Sequence, residues 1–446
     1  MLSVSVSASG APVPTLPADV LLVFLLQVGV LLLLAVALGQ LARRLGMPAV
    51  VGELSAGVIM GPSIADHLFP GFTEWLLPKD PSQFHLLDAA AQLGVLLLVG
   101  LTGMQLDLGM VKRRGWTAAR VSLCGLIVPL GLGIVCGLLL PATLLGESGD
   151  RGVFAFFLGV AMCVSAIPVI AKTLMDMGLL HRNIGQLTLT AGMFDDAVGW
   201  FLLSIVSAMA TVGVTTGAVA ESLGNLVLVV VAAFLLRPLV RRLLRAAGDD
   251  HGRAVAVMVV LTILGAAATH ALHLEAVFGA FVAGVVMGST GEVTAERLAP
   301  LRLPVLAFLA PLFFATAGLR MDLTALAEPA VFGAAVVVLA VAIAGKFLGA
   351  FAGAAMSGLN RWEALALGAG MNARGVVEVV VAMVGLRLGV LGTETFTIIV
   401  LVAIVTSLMA PPILRFAMRR VETTAEEELR ESAFNAPTPD PAQGKQ

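Results

Sequence analysis

Apolar residues along this chain come in long runs, separated by short polar stretches rich in Arg, Gly and Pro. Thirteen runs predict spans at roughly 18–40, 47–66, 86–106, 118–142, 152–175, 184–213, 222–244, 253–272, 274–290, 303–319, 328–356, 361–386 and 394–418. About 20 apolar residues in a helix cross roughly 30 Å of hydrocarbon, and most of the runs have that length. The pattern predicts an all-α polytopic membrane protein of about thirteen transmembrane helices, with residues 18–418 as the transmembrane domain. Residues 1–17 are small and polar with no basic n-region, so they predict an extracytoplasmic segment ahead of a retained first span. Residues 419–446, acidic and then Pro-rich, predict a disordered cytoplasmic tail. No soluble nucleotide-binding or sensor domain is expected.

Polar positions inside the runs carry the chemistry. Thr188 to Trp200, T-L-T-A-G-M-F-D-D-A-V-G-W, sets two adjacent carboxylates, Asp195 and Asp196, in a stretch apolar enough to span a bilayer. A charge at mid-membrane costs about 2.5–3.5 kcal/mol on insertion scales. Two like charges side by side cost more, so one acid is expected to hold a proton or to have a cationic partner. Neighbours on a helix point about 100° apart, so one acid can face a cavity and the other a neighbouring helix.

Composition adds the class and the orientation. The chain of 446 residues is 59% hydrophobic and 13% charged, against about 25% charged in a soluble domain. Arg43, Arg44, Arg113, Arg241, Arg242 and Arg245 are among the many basic residues that fall on one side of the predicted topology, whereas only Lys79, Arg151, Arg320 and Arg387 fall on the other. The basic side faces the cytoplasm, which places the N-terminus outside and the C-terminus inside, in a cytoplasmic membrane. Cys124, Cys136 and Cys163 lie in apolar runs, which argues against a disulfide framework or a thiolate metal site.

The chain also repeats itself. V-G-E-L-S-A-G-V-I-M-G at 51–61 returns as F-G-A-F-V-A-G-V-V-M-G at 278–288, and G-M-Q-L-D-L at 103–108 returns as G-L-R-M-D-L at 318–323. A weaker match pairs 159–165 with 368–374. Each pair is seven spans apart, and an odd separation inverts the second copy. The expectation is a first repeat over 18–213, a linker helix at 222–244 and a second repeat over 253–418, two inverted six-helix units of the kind secondary transporters use. Interrupted helices are expected at matching places. Pro168 disfavours helix just before itself, and Gly375 follows Asn372-Ala373-Arg374 in the second copy. Crossed near mid-membrane, two such helices would aim their half-helix ends at the aspartates.

The other mid-span charges are Lys346, Arg374 and Glu378. Arg374 and Glu378 stand four apart and can pair on one helical face unless the break at Gly375 separates them. Lys346 then has a natural partner in one of the two aspartates, and one carboxylate is left over. An unpaired acid in the membrane invites a proton or a cation, and competition between the two is the chemistry of antiport. Glu53, early in the second span, fits either a gating or helix contact or a capped interface residue.

Taken together these residues resemble the monovalent cation:proton antiporter superfamily, in its branch of bacterial Na+/H+ and K+/H+ antiporters and plant cation/H+ exchangers. M-P-A-V-V-G-E-L-S-A-G-V-I-M-G-P-S (47–63) is similar to that branch's first-repeat signature. C-V-S-A-I-P-V-I-A-K-T-L (163–174) and F-D-D-A-V-G-W (194–200) resemble its crossing and acidic helices, and M-N-A-R-G-V-V-E (371–378) its second crossing helix. The resemblance implies a six-helix core domain, a separate dimerisation domain in a homodimer, and elevator-like alternating access. It implies that Asp196 holds the monovalent cation or the proton, that Asp195 pairs with Lys346, and that Ser165 stands where a family hydroxyl approaches the ion. No cofactor is implied. Asp195-Asp196, in place of the plant Asn-Asp, is similar to electrogenic bacterial members, and Ser165 departs from the Thr that much of the family carries.

Other functions leave different traces. An intramembrane aspartyl protease needs acids on separate helices and a G-x-G-D motif, and here the acids adjoin and the motif is missing. A K+ efflux channel needs a selectivity filter, and no T-V-G-Y-G-like run exists in a chain without Tyr. Proton-coupled export of a larger cationic or ionophoric solute on the same scaffold stays open, because solute size depends on cavity shape. Na+ and K+ are equally open.

Overall fold

The computed structural model describes residues 16–77, 81–106, 108–212, 216–248 and 250–428. The expected extracytoplasmic segment therefore lies almost wholly outside the described residues, as does the tail beyond 428. The first half of the chain forms α1 (Ala18–Arg44), α2 (Ala49–Met60), the short α3 (Ala65–Leu68) and α4 (Pro70–Leu76), α5 (Pro81–Met104), α6 (Leu108–Leu139), α7 (Arg151–Cys163), α8 (Ile167–Asp176) and α9 (Asn183–Val212). After α10 (Thr216–Ala246), the second half forms α11 (His251–Ala271), α12 (Ala276–Ser289), α13 (Ala295–Pro304), α14 (Ala310–Gly318), α15 (Pro329–Ala355), α16 (Arg361–Met371), α17 (Val376–Arg387) and α18 (Thr393–Met418). Among the described residues eight helices are long and apolar enough to cross a membrane, or nine when the pair α16–α17, bent by 47°, counts as one span. The expected spans at 47–66, 152–175 and 274–290 fall on shorter or interrupted helices, with 12 residues in α2, 13 and 10 in α7 and α8, and 14 in α12, and the one at 222–244 falls on α10, which is not among those counted. Length and composition alone therefore do not reach thirteen.

The helices pack in two groups, and each half of the chain contributes to both. In one, α1 packs on α2, α2 on α14, α14 on α5, α5 on α12 and α12 on α11. In the other, α6 packs on α7, α9 and α15, while α16 packs on α15, α9 and α18, and α17 on α18. Contacts of α9 with α10 and α12, and of α14 with α17, join the groups.

The repeated sequences meet in equivalent ways. A Cβ on Gly57 would lie 1.9 Å from Ala315 O on α14, and one on Gly318 would lie 2.2 Å from Leu54 O on α2. A Cβ on Gly284 would lie 2.2 Å from Gly100 O on α5, and one on Gly103 would lie 2.5 Å from Phe281 O on α12. Gly57 and Gly284 occupy one position of the first repeated motif, and Gly103 and Gly318 one position of the second. The α2–α14 and α12–α5 contacts are thus two copies of one backbone-on-backbone interface that small residues permit.

The expected disorder of 419–446 needs correcting over its first ten residues. Thr424 and Glu427 form a capping box, with Glu427 Oε2 accepting from Thr424 N at 2.8 Å, ahead of a helical turn at 425–428. Arg182, in the turn between α8 and α9, donates to Val421 O and Glu422 O at 3.0 and 3.1 Å and pairs with the buried Glu427 at 3.3 Å. The low hydrophobicity that predicts disorder does not register such a clasp.

Candidate functional site

Asp195 and Asp196 stand in the middle of α9, and both are fully buried. Two glycines on α9 bring it close to the first helix break. A Cβ on Gly192 would lie 3.1 Å from Ile170 Cδ1, and one on Gly199 would lie 2.9 Å from Val164 Cγ2. The break itself is Val164-Ser165-Ala166, extended backbone between α7 and α8, with Pro168 in the first turn of α8 where a missing N–H costs nothing. The second break, Asn372 to Gly375, separates α16 from α17, and Gly375 takes φ +146°, a conformation that side-chain-bearing residues rarely adopt. The breaks meet. Ala166 N donates to Ala373 O at 3.2 Å, and Ser165 Oγ lies 2.8 Å from Met371 O.

The two aspartates have opposite surroundings. Asp195 Oδ1 accepts from Ser122 of α6 at 2.7 Å, and its Oδ2 is 2.7 Å from Lys346 Nζ of α15 and 2.8 Å from Ser165 Oγ. Lys346 is itself fully buried. It reaches Asp195 because α15 lies almost against α6: a Cβ on Gly345, Gly349 or Gly353 would fall 2.9 Å from Pro129 Cα, 2.5 Å from Cys124 O or 2.6 Å from Val121 Cα. Neither carboxylate oxygen of Asp196 has a side-chain hydrogen-bond partner among the described residues, and the backbone N–H of Ile167, at the start of α8, is directed at it. Buried charge is tolerated when paired and hydrogen-bonded, as at Asp195, and is otherwise met by a proton or a cation. Ser165 has one hydroxyl proton for two acceptors, Asp195 Oδ2 and Met371 O, so it can serve only one of them as donor at a time.

Arg374 holds the breaks together. Its guanidinium donates to Ala161 O at 3.1 Å and Met162 O at 2.6 Å, the free carbonyls at the end of α7, and to Ala342 O of α15 at 3.1 Å. It also pairs with Glu378 at 3.2 Å, so the break at Gly375 does not separate the two. A cation at a helix C-terminus meets the negative end of the helix dipole. The hydroxyl of Ser407 on α18 donates to Arg374 O and ties down the same break. The side chain of Asn372 is buried, and neither end of its amide has a partner among the described residues. Glu53 lies away from this centre, packed on α1 with Oε1 3.3 Å from the position of a Cβ on Gly39.

Sequence reading missed Ser122 and Ser407, which are ordinary serines in apolar helices and are distinguished only by what they touch. The G-x-x-x-G-x-x-x-G run at 345–353 was the available signal for the close approach of α15 to α6.

Comparison with known proteins sets the chain in a wider group. The family model for the transmembrane part of sodium/hydrogen exchangers matches residues 29–420. The "Na(+)/H(+) antiporter NhaS4" of Synechocystis is 31% identical over 399 residues, 89% of this chain and 97% of its own. The "K(+)/H(+) antiporter 1" of Saccharomyces cerevisiae is 29% identical over 88% of this chain. The chain spans about half the length of that yeast protein and of the Arabidopsis relatives that it matches. In fold it is similar to the sodium proton antiporter MjNhaP1 from Methanocaldococcus jannaschii, with a TM-score of 0.67, 14% sequence identity, and coverage of 89% of this chain and 99% of the other.

Proposed function

The chain belongs to the family of transmembrane sodium/hydrogen exchangers, within the monovalent cation:proton antiporter superfamily, and on that premise we propose that it exchanges Na+ or K+ for protons at Asp196. The contrast inside the aspartate pair carries the reading. Asp195 is met by Ser122, Ser165 and Lys346, whereas neither oxygen of the buried Asp196 has a side-chain partner among the described residues. In this reading Asp196 takes either a proton or the cation, never both, and that exclusion couples the two flows. Asp195 and Lys346 form the charge pair beside it. Arg374 and Glu378 neutralise each other and hold the crossing of the two breaks, so that the half-helix ends stay aimed at the centre.

The division into two helix groups supports alternating access in which the group of α6–α9 and α15–α18 moves against the other, as a homodimer with its N-terminus outside the cytoplasmic membrane. Entry of a cation at Asp196 weakens the hold of Asp195 on Lys346, which releases a second proton, and the cycle is electrogenic. The deciding experiment is reconstitution in liposomes with a pH-sensitive dye and Na+, K+ and Li+ added in turn. Asp196→Asn cannot titrate, so the expected outcome is a protein that inserts normally and moves no protons in response to any of the three cations. Substantial antiport by this variant would overturn the assignment.

A further inference from the structure

Beyond Asp196, α9 carries three more buried polar side chains toward its C-terminus, Trp200, Ser204 and Ser207. Trp200 Nε1, Ser204 Oγ and Ser207 Oγ have no hydrogen-bond partner among the described residues. A helical hydroxyl can satisfy itself on the carbonyl one turn back, and others on α9 do so: Thr188 on Ile184 O at 2.7 Å, Thr190 on Gln186 O at 2.8 Å, Thr211 on Ser207 O at 3.0 Å. Ser204 and Ser207 do not.

These residues share one face. At 3.6 residues per turn, Asp196, Trp200, Ser204, Ser207 and Thr211 fall within about 80° around the helix and extend about 22 Å along it. The stripe begins at a fully buried carboxylate and ends at the exposed Thr211. It also lies at the boundary between the helix groups, because the Trp200 ring packs on Phe281 of α12 with centroids 6.2 Å apart. Buried polar groups almost always have partners, and ordered water supplies them where protein does not.

We propose that this face of α9 is a hydrated path that joins Asp196 to the surface at the C-terminal end of the helix. Its ligands are water molecules held by Ser204 Oγ, Ser207 Oγ and Trp200 Nε1. Trp200, wedged against Phe281, is the constriction nearest the acid. The inference rests on the exchange reading for what the path carries, a proton or a monovalent cation, but not for the presence of water.

Hydroxyl-radical footprinting of the unmodified protein tests for the water. With each rate normalised to that of the unfolded chain, Trp200 is expected to be oxidised at about a tenth or more of the rate of exposed Trp75, despite being 1% exposed. Buried Phe157 and Phe154 report the rate at a dry position. Protection of Trp200 equal to theirs would overturn the inference. The direction of the path is read from Ser207→Cys and Ser204→Cys with Cys124 replaced by Ala, using a membrane-impermeant thiol reagent on either side of the membrane. Labelling from the side of Thr211, with Val206→Cys unlabelled, is the expected result. Labelling from the opposite side alone would overturn the route. Neither measurement needs transport, so an active Asp196→Asn protein would sink the exchange reading and leave this one standing. A dry Trp200 would do the reverse.

Discussion

Asp195 and Lys346 are buried completely, 2.7 Å apart, and each is the other's compensation. Removing one partner of such a pair leaves an uncompensated charge, so Lys346→Ala is expected to cost about 3–5 kcal/mol. The drop should appear in thermal unfolding of the solubilised protein, and the double variant Asp195→Asn with Lys346→Met should recover much of it. In the proposed cycle the same lysine sets the charge balance. With the liposome potential clamped by valinomycin and K+ while Na+ drives transport, the wild-type rate is expected to follow the potential. In Lys346→Gln that dependence should vanish. Dependence that survives the substitution would remove Lys346 as the carrier of the second proton, and its lack in the wild type would rule out an electrogenic cycle. At this scale the acids, Lys346, Arg374 and Glu378 were legible because a charge inside an apolar run stands out. Ser122 was not. Its partner is 73 positions away along the chain, and one serine in an apolar helix looks like another.

The repeated glycines set how closely the helices approach. Gly57→Ala and Gly284→Ala each drive a methyl into backbone oxygen, Ala315 O at 1.9 Å and Gly100 O at 2.2 Å, and no side-chain rotation relieves it. Both are expected to lose about 1–3 kcal/mol or more. Gly29→Ala, with nothing within 4 Å of its Cβ, should be neutral or gain up to about 1 kcal/mol from helix propensity. Equal behaviour of Gly29 and Gly57 would discredit the interface.

The C-terminal clasp makes a prediction in pH. Burial raises the carboxyl of Glu427, but the N–H groups of Asn183 and Thr424 and the guanidinium of Arg182 outweigh it and hold the group below the usual glutamate value of 4.5. A lowered value means that the clasp contributes fully above that pH and is lost as the pH falls through the lowered value. A spin label at Ala425→Cys should stay immobile at neutral pH and loosen only below about 4.5. With Glu427→Gln it should be mobile throughout.

At the scale of the whole molecule, polar links join the two helix groups. Arg387 at the end of α17 pairs with Glu275, which is 4% exposed, at the start of α12. Thr397 Oγ1 of α18 accepts from Asp322 N at 3.1 Å. If the group that carries Asp196 moves against the other, the Arg387–Glu275 pair has to open in every cycle. Cysteines in place of Glu275 and Arg387, joined by a reducible bifunctional thiol cross-linker that spans the length of the lost side chains, are therefore expected to slow antiport about tenfold or more and to release it on reduction. Full activity in the cross-linked state would mean that the groups do not separate there.

What the sequence by itself determined is set by the solvent. A bilayer demands long apolar helices, makes every interior charge conspicuous, and leaves an inverted duplication readable as two copies of a glycine motif. The all-helical membrane fold, the paired breaks and the short list of buried charges follow from that. Residue pattern left open which aspartate meets Lys346, and only the family resemblance put it on Asp195; tertiary structure brings Ser122, Ser165 and Lys346, from three separate stretches of chain, onto that one carboxylate. It also decided that Arg374 caps α7 across 213 and 212 positions of chain, and that the start of the tail is clasped by Arg182. Hydrophobic pattern records which residues leave water, and it carries no information about which polar group each will meet when they do.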